Sequence, residues 1–307
     1  MSTSCPFITD MAWSPDGHML AVAHGMGVWL WRGGFGGTPT QRIDADAPIR
    51  SLTFTPDSRW LATGYADTTV QIFDAVTLTQ RIMLGGHQGA VNAVAFSPDS
   101  RVLASASSDA TVRLALLTET MALAPYAPVT LNGHTAEVTG VLFTGDGHVL
   151  SAGWDSPARL WNMNTAGISL AAAFAHGDWV RGLAGHAGRG LAAAPSRDGS
   201  VYLWSLREHR EVARLAVYEK GVDAAAFSPD GALLAAGARD GMLHVWSVDG
   251  LLETPLNATP LFTTAAHSKP VLALAFASNG RFLATAGGDN AVSLWAVVPM
   301  TGEPASG

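Results

Sequence analysis

The chain has 307 residues, 48% hydrophobic and 14% charged, with 33 Gly and 16 Pro, a globular composition rich in turns. Its formal net charge of −7 argues against binding nucleic acid or anionic membrane over the whole surface, and no apolar run reaches the roughly 18 residues of a membrane-spanning helix. Met1–Phe7 has neither a basic stretch nor a long apolar one and predicts no signal peptide, and the single cysteine, Cys5, forbids an intrachain disulfide and suits a reducing, cytoplasmic setting.

In chain order, one turn recurs: Trp13-Ser-Pro-Asp-Gly17, Phe54-Thr-Pro-Asp-Ser58, Phe96-Ser-Pro-Asp-Ser100 and Phe227-Ser-Pro-Asp-Gly231, with weaker copies at Phe143–Gly147 and Phe276–Gly280. Proline presets φ and Asp or Gly completes a tight turn. An alternating run precedes each turn, as in Val91–Phe96. A second follows, as in Val102–Ser105, and then a third, as in Val292–Trp295. Period-two alternation predicts strands, three clear ones per unit. Thr79–Met83, Ala127–Leu131 and Glu211–Val217 are candidates for a fourth, outer strand.

The third strand ends at Trp31, Phe73, Ala115, Trp161, Trp204, Trp246 and Trp295, at intervals of 42 to 49 residues. Six residues before that position stand Asp67, Asp109, Asp155, Asp198, Asp240 and Asp289, with Gly25 in the first unit. Self-similarity at this period predicts an all-β fold, a seven-bladed β-propeller of antiparallel sheets. The expected repeats are approximately 6–44, 45–86, 87–133, 134–175, 176–217, 218–266 and 267–298, in one domain spanning 1–307, with a short tail at 299–307.

With Gly86-His87, Gly133-His134, His176 and His267 before the first strands of their units, the chain resembles the WD-repeat β-propeller family. The terminal dipeptide departs from the family pattern: Phe73-Asp74 and Trp161-Asn162 come near it, and other units read Trp-Arg, Trp-Ser or Trp-Ala. The resemblance implies that His, Ser/Thr, Asp and Trp form a structural hydrogen-bonded chain inside a blade. Complete sets are His134, Ser151, Asp155, Trp161 and His267, Thr285, Asp289, Trp295. A buried indole N–H needs an acceptor and a buried carboxylate needs donors. Unit three ends in Ala115, units five and six carry Ala194 and Ala236 at the hydroxyl position, and unit one lacks the His and the Asp. These blades are expected to rely on apolar packing.

The resemblance also implies that one face displays the residues three and five positions after the His and the residue before the Asp. Glu137, Trp154, Trp179, Arg181, Arg197, Asp223 and Arg239 map there, on units four to six. Trp and Arg dominate interface hot spots, so these are the partner-binding candidates, fitting an acidic or aromatic-bearing protein or peptide. The alternative is that the indoles pack on neighbouring loops while the arginines pair with Glu137 and Asp223. Two prolines and a glycine after Trp295 disfavour a regular outer strand, so the edge of blade seven is either partly covered by Met1–Cys5 or Val297–Thr301 or a candidate for strand pairing with another chain. The connections around Leu117–Val129 and Asp249–Thr264 read as variable loops.

No phosphate-binding loop, dinucleotide fingerprint, nucleophile elbow or zinc-ligand spacing is present, so no catalytic residue, metal or cofactor is expected. The leading reading is a non-enzymatic protein–protein interaction scaffold in a larger assembly. An enzyme or small-molecule binder using the central channel, and a ligand or stress sensor acting through a partner, remain as alternatives.

Overall fold

A computed structural model describes residues 8–33, 38–125, 127–164, 167–216, 218–254 and 258–297. They form seven antiparallel sheets, each pairing its strands in sequence order: six of four strands and, among the described residues, a last one of three. The inner strands Ile8–Trp13, Ile49–Phe54, Val91–Phe96, Val138–Phe143, Ala184–His186, Val222–Phe227 and Val271–Phe276 belong to seven successive blades. Residues on and just before these strands line a common central channel.

The apolar pattern explains why the sheets stack in a ring. Second strands such as Trp60–Tyr65 are buried at every position, because both of their faces meet another sheet. The apolar clusters lie between blades. Leu150 and Leu160 of blade four meet Val180 and Trp204 of blade five, and Leu203 of blade five meets Leu234 and Trp246 of blade six. The small residues of the second strands, such as Ala104, Ala152 and Ala192, are fully buried there and let the sheets approach closely. Ring closure uses the same packing: Trp13, Leu20 and Val22 of blade one share a cluster with Ala273, Ala284 and Ala286 of blade seven. The Trp13 indole donates to the Ala275 carbonyl across that seam at 3.1 Å.

The repeated turn holds itself together. Its hydroxyl donates to the aspartate two residues on, as in Thr55 to Asp57 and Ser97 to Asp99, both at 2.6 Å. The same oxygen accepts the N–H that opens the next strand, from Trp60 at 3.0 Å and Val102 at 2.8 Å. One hydroxyl and one carboxylate thereby satisfy donors that the turn would otherwise leave unpaired.

The outer strands fall close to the expected segments, at Gln80–Leu84, Val129–Leu131 and Arg210–Ala216. The connection after Asp249 is not loop throughout: Val248–Glu253 is a short helix, capped by Ser247, whose side chain accepts the Gly250 N–H. Residues 165–166 and 255–257 interrupt the description, and the tail 299–307 and Cys5 lie outside the described residues. Blade five departs most from the repeat. Its inner strand starts only at Ala184, because the facing strand carries Pro195, which has no N–H to give to the ladder. Arg181 N–H still reaches the Pro195 carbonyl at 2.9 Å, so the backbone follows the path of the other blades without the full pairing.

Candidate functional site

The polar residues shared by the repeats are consumed inside the blades. In blade four, His134 Nδ1 lies 2.6 Å from Asp155 Oδ1, His134 Nε2 lies 2.8 Å from Ser151 Oγ, and the Trp161 indole donates to Ser151 Oγ at 2.9 Å. With a neutral imidazole, Trp161 donates to Ser151, Ser151 to His134, and His134 Nδ1–H to Asp155, whose other oxygen accepts from Arg159 at 3.0 Å. Burial holds the pKa of His134 below its ordinary value despite the facing carboxylate. Burial alone would raise Asp155, but hydrogen bonds from His134 and the Thr135 N–H outweigh it and hold its pKa low. Both shifts favour a neutral imidazole against a charged carboxylate. Blade seven repeats it, with His267 at 3.0 Å from Asp289 and 2.8 Å from Thr285, and Trp295 donating to Thr285 at 3.1 Å. Blade three keeps His87, Ser105 and Asp109, and hydrogen bonds from Thr111, Gln88 N–H and His87 overcome burial to pull Asp109 down to about 2.

Blades five and six solve the same problem differently, and sequence reasoning missed how. Asp198 pairs with Tyr202, whose hydroxyl donates to it at 2.5 Å and accepts the Gly177 N–H at 2.7 Å. His176 turns to the Asp178 carbonyl. With Ala194 and Ala236 at the hydroxyl position, the indole nitrogens of Trp204 and Trp246 and His176 Nε2 are buried without a partner among the described residues. Tyr218 stands four residues before Val222, as the His does before the first strand elsewhere, and its buried hydroxyl also lacks a partner. The readable signal was a strand-three tyrosine four residues after the Asp, facing an alanine.

The partner-contact candidates do converge on one rim. The turns carrying Trp154 and Arg197 meet the loops carrying Glu137 and Trp179: Trp154 N–H donates to the Glu137 carbonyl and Arg197 N–H to the Trp179 carbonyl, each at 2.9 Å. The Trp154 and Trp179 rings stack at 4.3 Å, 9° from parallel, and the Arg197 guanidinium lies 4.4 Å from the Trp179 ring centre. Both indoles are half-buried and Arg197 is exposed. Beside this stack, Asp223 accepts from Arg181 and from Arg239, both at 3.0 Å. Among the described residues Glu137 pairs with no arginine; it accepts from the Ser108 hydroxyl at 2.8 Å. The two readings of the patch therefore divide between its members: Arg181 and Arg239 share Asp223, whereas among the described residues Arg197 is held by the indole face alone.

The channel mouth is more polar than the sequence suggested. Thr9, Arg50, Asn92, Thr139, Arg181 and Asp223 occupy one level of the inner strands and line a cavity of about 310 Å³. Most are spent on tying blades together: Thr9 donates to the Ile49 carbonyl at 2.8 Å, Asn92 to the Val138 carbonyl at 3.0 Å, and Thr139 to the Val180 carbonyl at 2.6 Å. Asp10, one residue deeper, accepts the Leu52 N–H at 2.9 Å, and burial raises its pKa to about 6. Among the described residues, no group of three or more His, Cys, Asp or Glu side chains is placed to hold a metal ion.

Comparison with known families matches the model for "WD domain, G-beta repeat" at residues 2–32, 37–74, 78–114, 128–162, 210–247 and 258–296. These segments cover well over half of the chain. The protein belongs to the WD-repeat family. The stretch between 162 and 210 that escapes the match holds the outer strand of blade four and the first three strands of blade five, where Pro195, Ala194 and the Tyr202–Asp198 pair replace the usual features. Similar proteins include "Cell division cycle 20.1, cofactor of APC complex" of Arabidopsis thaliana, 27% identical over 163 residues, which are 52% of this chain and 34% of that protein. "Pre-mRNA-processing factor 19 homolog 2" of the same plant is 33% identical over 125 residues, 39% of this chain and 24% of that protein. "Protein LST8 homolog" of Drosophila melanogaster is 30% identical over 144 residues, 46% of each chain. The matched segments span less than half the length of these relatives.

Proposed function

We propose that this WD-repeat protein is a non-enzymatic interaction platform, an adaptor or subunit of a larger assembly. It docks a protein partner on the rim formed by Glu137, Trp154, Trp179, Arg181, Arg197, Asp223 and Arg239. The observation that carries this reading is the half-exposed stack of Trp154, Trp179 and Arg197. Two indoles at a surface forgo burial that a core position would give them, and Trp and Arg supply most binding energy where partners meet. The inward use of the repeated His, Ser and Asp supports a scaffold over a catalyst, since these groups face one another and not a substrate cavity. Relatives described as a cofactor of the APC complex and a pre-mRNA-processing factor fit a part in an assembly. The lone cysteine and the acidic net charge fit a cytoplasmic protein that does not bind nucleic acid.

The test is affinity capture from native extract, comparing the wild type with Trp179→Ala/Arg197→Ala. A partner recovered in stoichiometric amount and reduced about tenfold or more by the double substitution supports the rim. A partner retained at full recovery places docking elsewhere. The channel favours a second reading, a small-molecule site at its polar mouth, and this gains if no protein is captured and a metabolite co-purifies.

A further inference from the structure

We infer that His186 is a proton-operated latch between blades five and six: neutral, it closes the inner turn of blade five and ties it to blade six; protonated, it releases that turn. The latch is independent of the rim and of any partner docked there. Six inner strands end in an aromatic, at Trp13, Phe54, Phe96, Phe143, Phe227 and Phe276, and the turn that follows carries Asp or Asn three residues on. That side chain accepts an N–H leading out of the turn, as Asp99 accepts from Arg101 N–H at 3.0 Å. Blade five ends its strand in His186 and has Ala187 and Arg189 at the hydroxyl and aspartate positions, so neither group of the usual turn is present. The imidazole takes their place. Its Nδ1 accepts the Arg189 N–H at 3.1 Å, and its Nε2 lies 3.0 Å from the Pro229 carbonyl in the corresponding turn of blade six. A carbonyl only accepts and a backbone N–H only donates, so the two bonds together require the neutral ring with its proton on Nε2. Arg189 adds a second tie, to Asp249 at 2.5 Å on the short helix Val248–Glu253.

Protonation makes donors of both ring nitrogens. Pro229 can still accept one. The other faces the Arg189 N–H, donor against donor, and turning the ring over leaves the same conflict. The turn of blade six closes one side of the ring, since a Cβ on Gly231 would lie 2.8 Å from His186 Cε1. Among the charges around it, Asp230 of blade six favours the protonated ring; its own pKa is held low by bonds from Ser228 and the Ala232 N–H and by His186. Arg189 and Arg207 oppose protonation; Arg207 donates to the Gly188 carbonyl at 2.8 Å, and Arg189 is paired with Asp249. On the blade-four side, where Gly145 meets Ala187, Asp146 and His148 pair with each other at 3.0 Å. Histidine ordinarily changes charge between about pH 5 and 8. A turn closed on an aspartate such as Asp99, held below its ordinary pKa by Ser97, keeps its charge over that range. The release falls on the most weakly paired inner strand: three residues of Ala184–His186 pair with the next strand, against five in blade three.

The test follows ¹⁵N-labelled protein by NMR from about pH 8 to about pH 5, reading the His186 ring nitrogens and the exchange of the Arg189 amide. His186→Phe, the residue most other blades carry there, assigns the ring signals. At the upper end Nε2 is expected to carry the proton and Nδ1 none. As the ring protonates, the protection factor of the Arg189 amide should fall about tenfold, the loss of one hydrogen bond, in step with the ring. The Arg101 amide, closed on Asp99, should keep its protection, and His186→Phe should leave the Arg189 amide unprotected at every pH. The latch is overturned by a proton on Nδ1 at about pH 8, by a ring that stays neutral down to about pH 5, or by Arg189 protection that does not follow the ring or that survives His186→Phe. If His186→Phe does not fold, the titration of the unaltered protein decides alone.

Discussion

Asp10 stands where the inner strands of the other blades carry Ser51, Ala93, Gly140, Gly182, Ala224 or Ala273. Its carboxylate spans a seam, accepting from Met11 N–H within its own strand and from Leu52 N–H in the next blade. Ser51 does the same for Val94 N–H one blade on, so a hydroxyl suffices for the joint. Burial raises the Asp10 pKa from 3.8 to about 6 because its charged form is poorly solvated, the two backbone bonds offsetting only part of that. A raised folded-state value means that the contribution of Asp10 is fully present below pH 3.8 and is lost as pH climbs through 6. A shift of this size corresponds to about 3 kcal/mol. The channel side is partly open to water, so the realised penalty is smaller. Asp10→Asn keeps an acceptor for Leu52 and removes the titration. It is expected to stabilise the protein by about 1–2 kcal/mol at pH 8 and by little at pH 4.5. Thermal melts across that range check this; a gain independent of pH would assign the effect to packing and not to ionisation.

Within a blade, the contrast between blades four and five shows which parts of a repeat are readable. Spacing located His134, Ser151, Asp155 and Trp161 because every member is a polar residue at a fixed offset. It located the vacancy at Ala194 equally well. It did not reveal Tyr202 as the substitute partner of Asp198, since that position varies freely among Trp29, Gln71, Arg113, Arg159, His244 and Ser293. Nor did it foresee the fraying opposite Pro195, which depends on the facing strand. The alanine leaves a donor, Trp204 Nε1, and an acceptor, His176 Nε2 (its Nδ1–H donates to the Asp178 carbonyl), buried without a partner among the described residues. Ala194→Ser puts a hydroxyl where Ser151 serves the equivalent pair in blade four. Each satisfied group is worth about 1–2 kcal/mol, so the variant is expected to raise stability by about that much in denaturant melts. Trp204→Phe is the companion measurement. It removes an indole N–H that has no partner among the described residues and should cost less than Trp161→Phe, which breaks a bond to Ser151. Equal costs would show that the blade-five indole has found an acceptor after all.

For the whole ring, the sequence was most informative about what repeats and least about where the repetition stops. Seven similar units dictate a closed disc, because each buries its large side chains only against the next. The final sheet has three strands among the described residues, so one side of Val292–Ala296 has no neighbouring strand there. The side chains around it are unusually apolar for a surface: Leu294 and Phe282 are each 37% exposed, and Phe262, 46% exposed, meets Trp295 edge-on at 6.2 Å across the blade-six seam. A strand that has one edge without a neighbour among the described residues, flanked by apolar groups, is a template for another chain, and Val292–Ala296 carries none of the charges that usually blunt such edges. Two copies pairing through this strand would satisfy both rows of backbone groups and cover the same side chains. Sedimentation of the purified protein is therefore expected to show a concentration-dependent dimer, and Leu294→Lys should return it to monomer by placing a charge on the edge. The Trp179→Ala/Arg197→Ala variant, altered in the loops of blade five and not on the edge strand, should dimerise as the wild type does. A clean monomer at high concentration would mean that the edge is already covered, and the rim would then stand alone as the surface left for a partner.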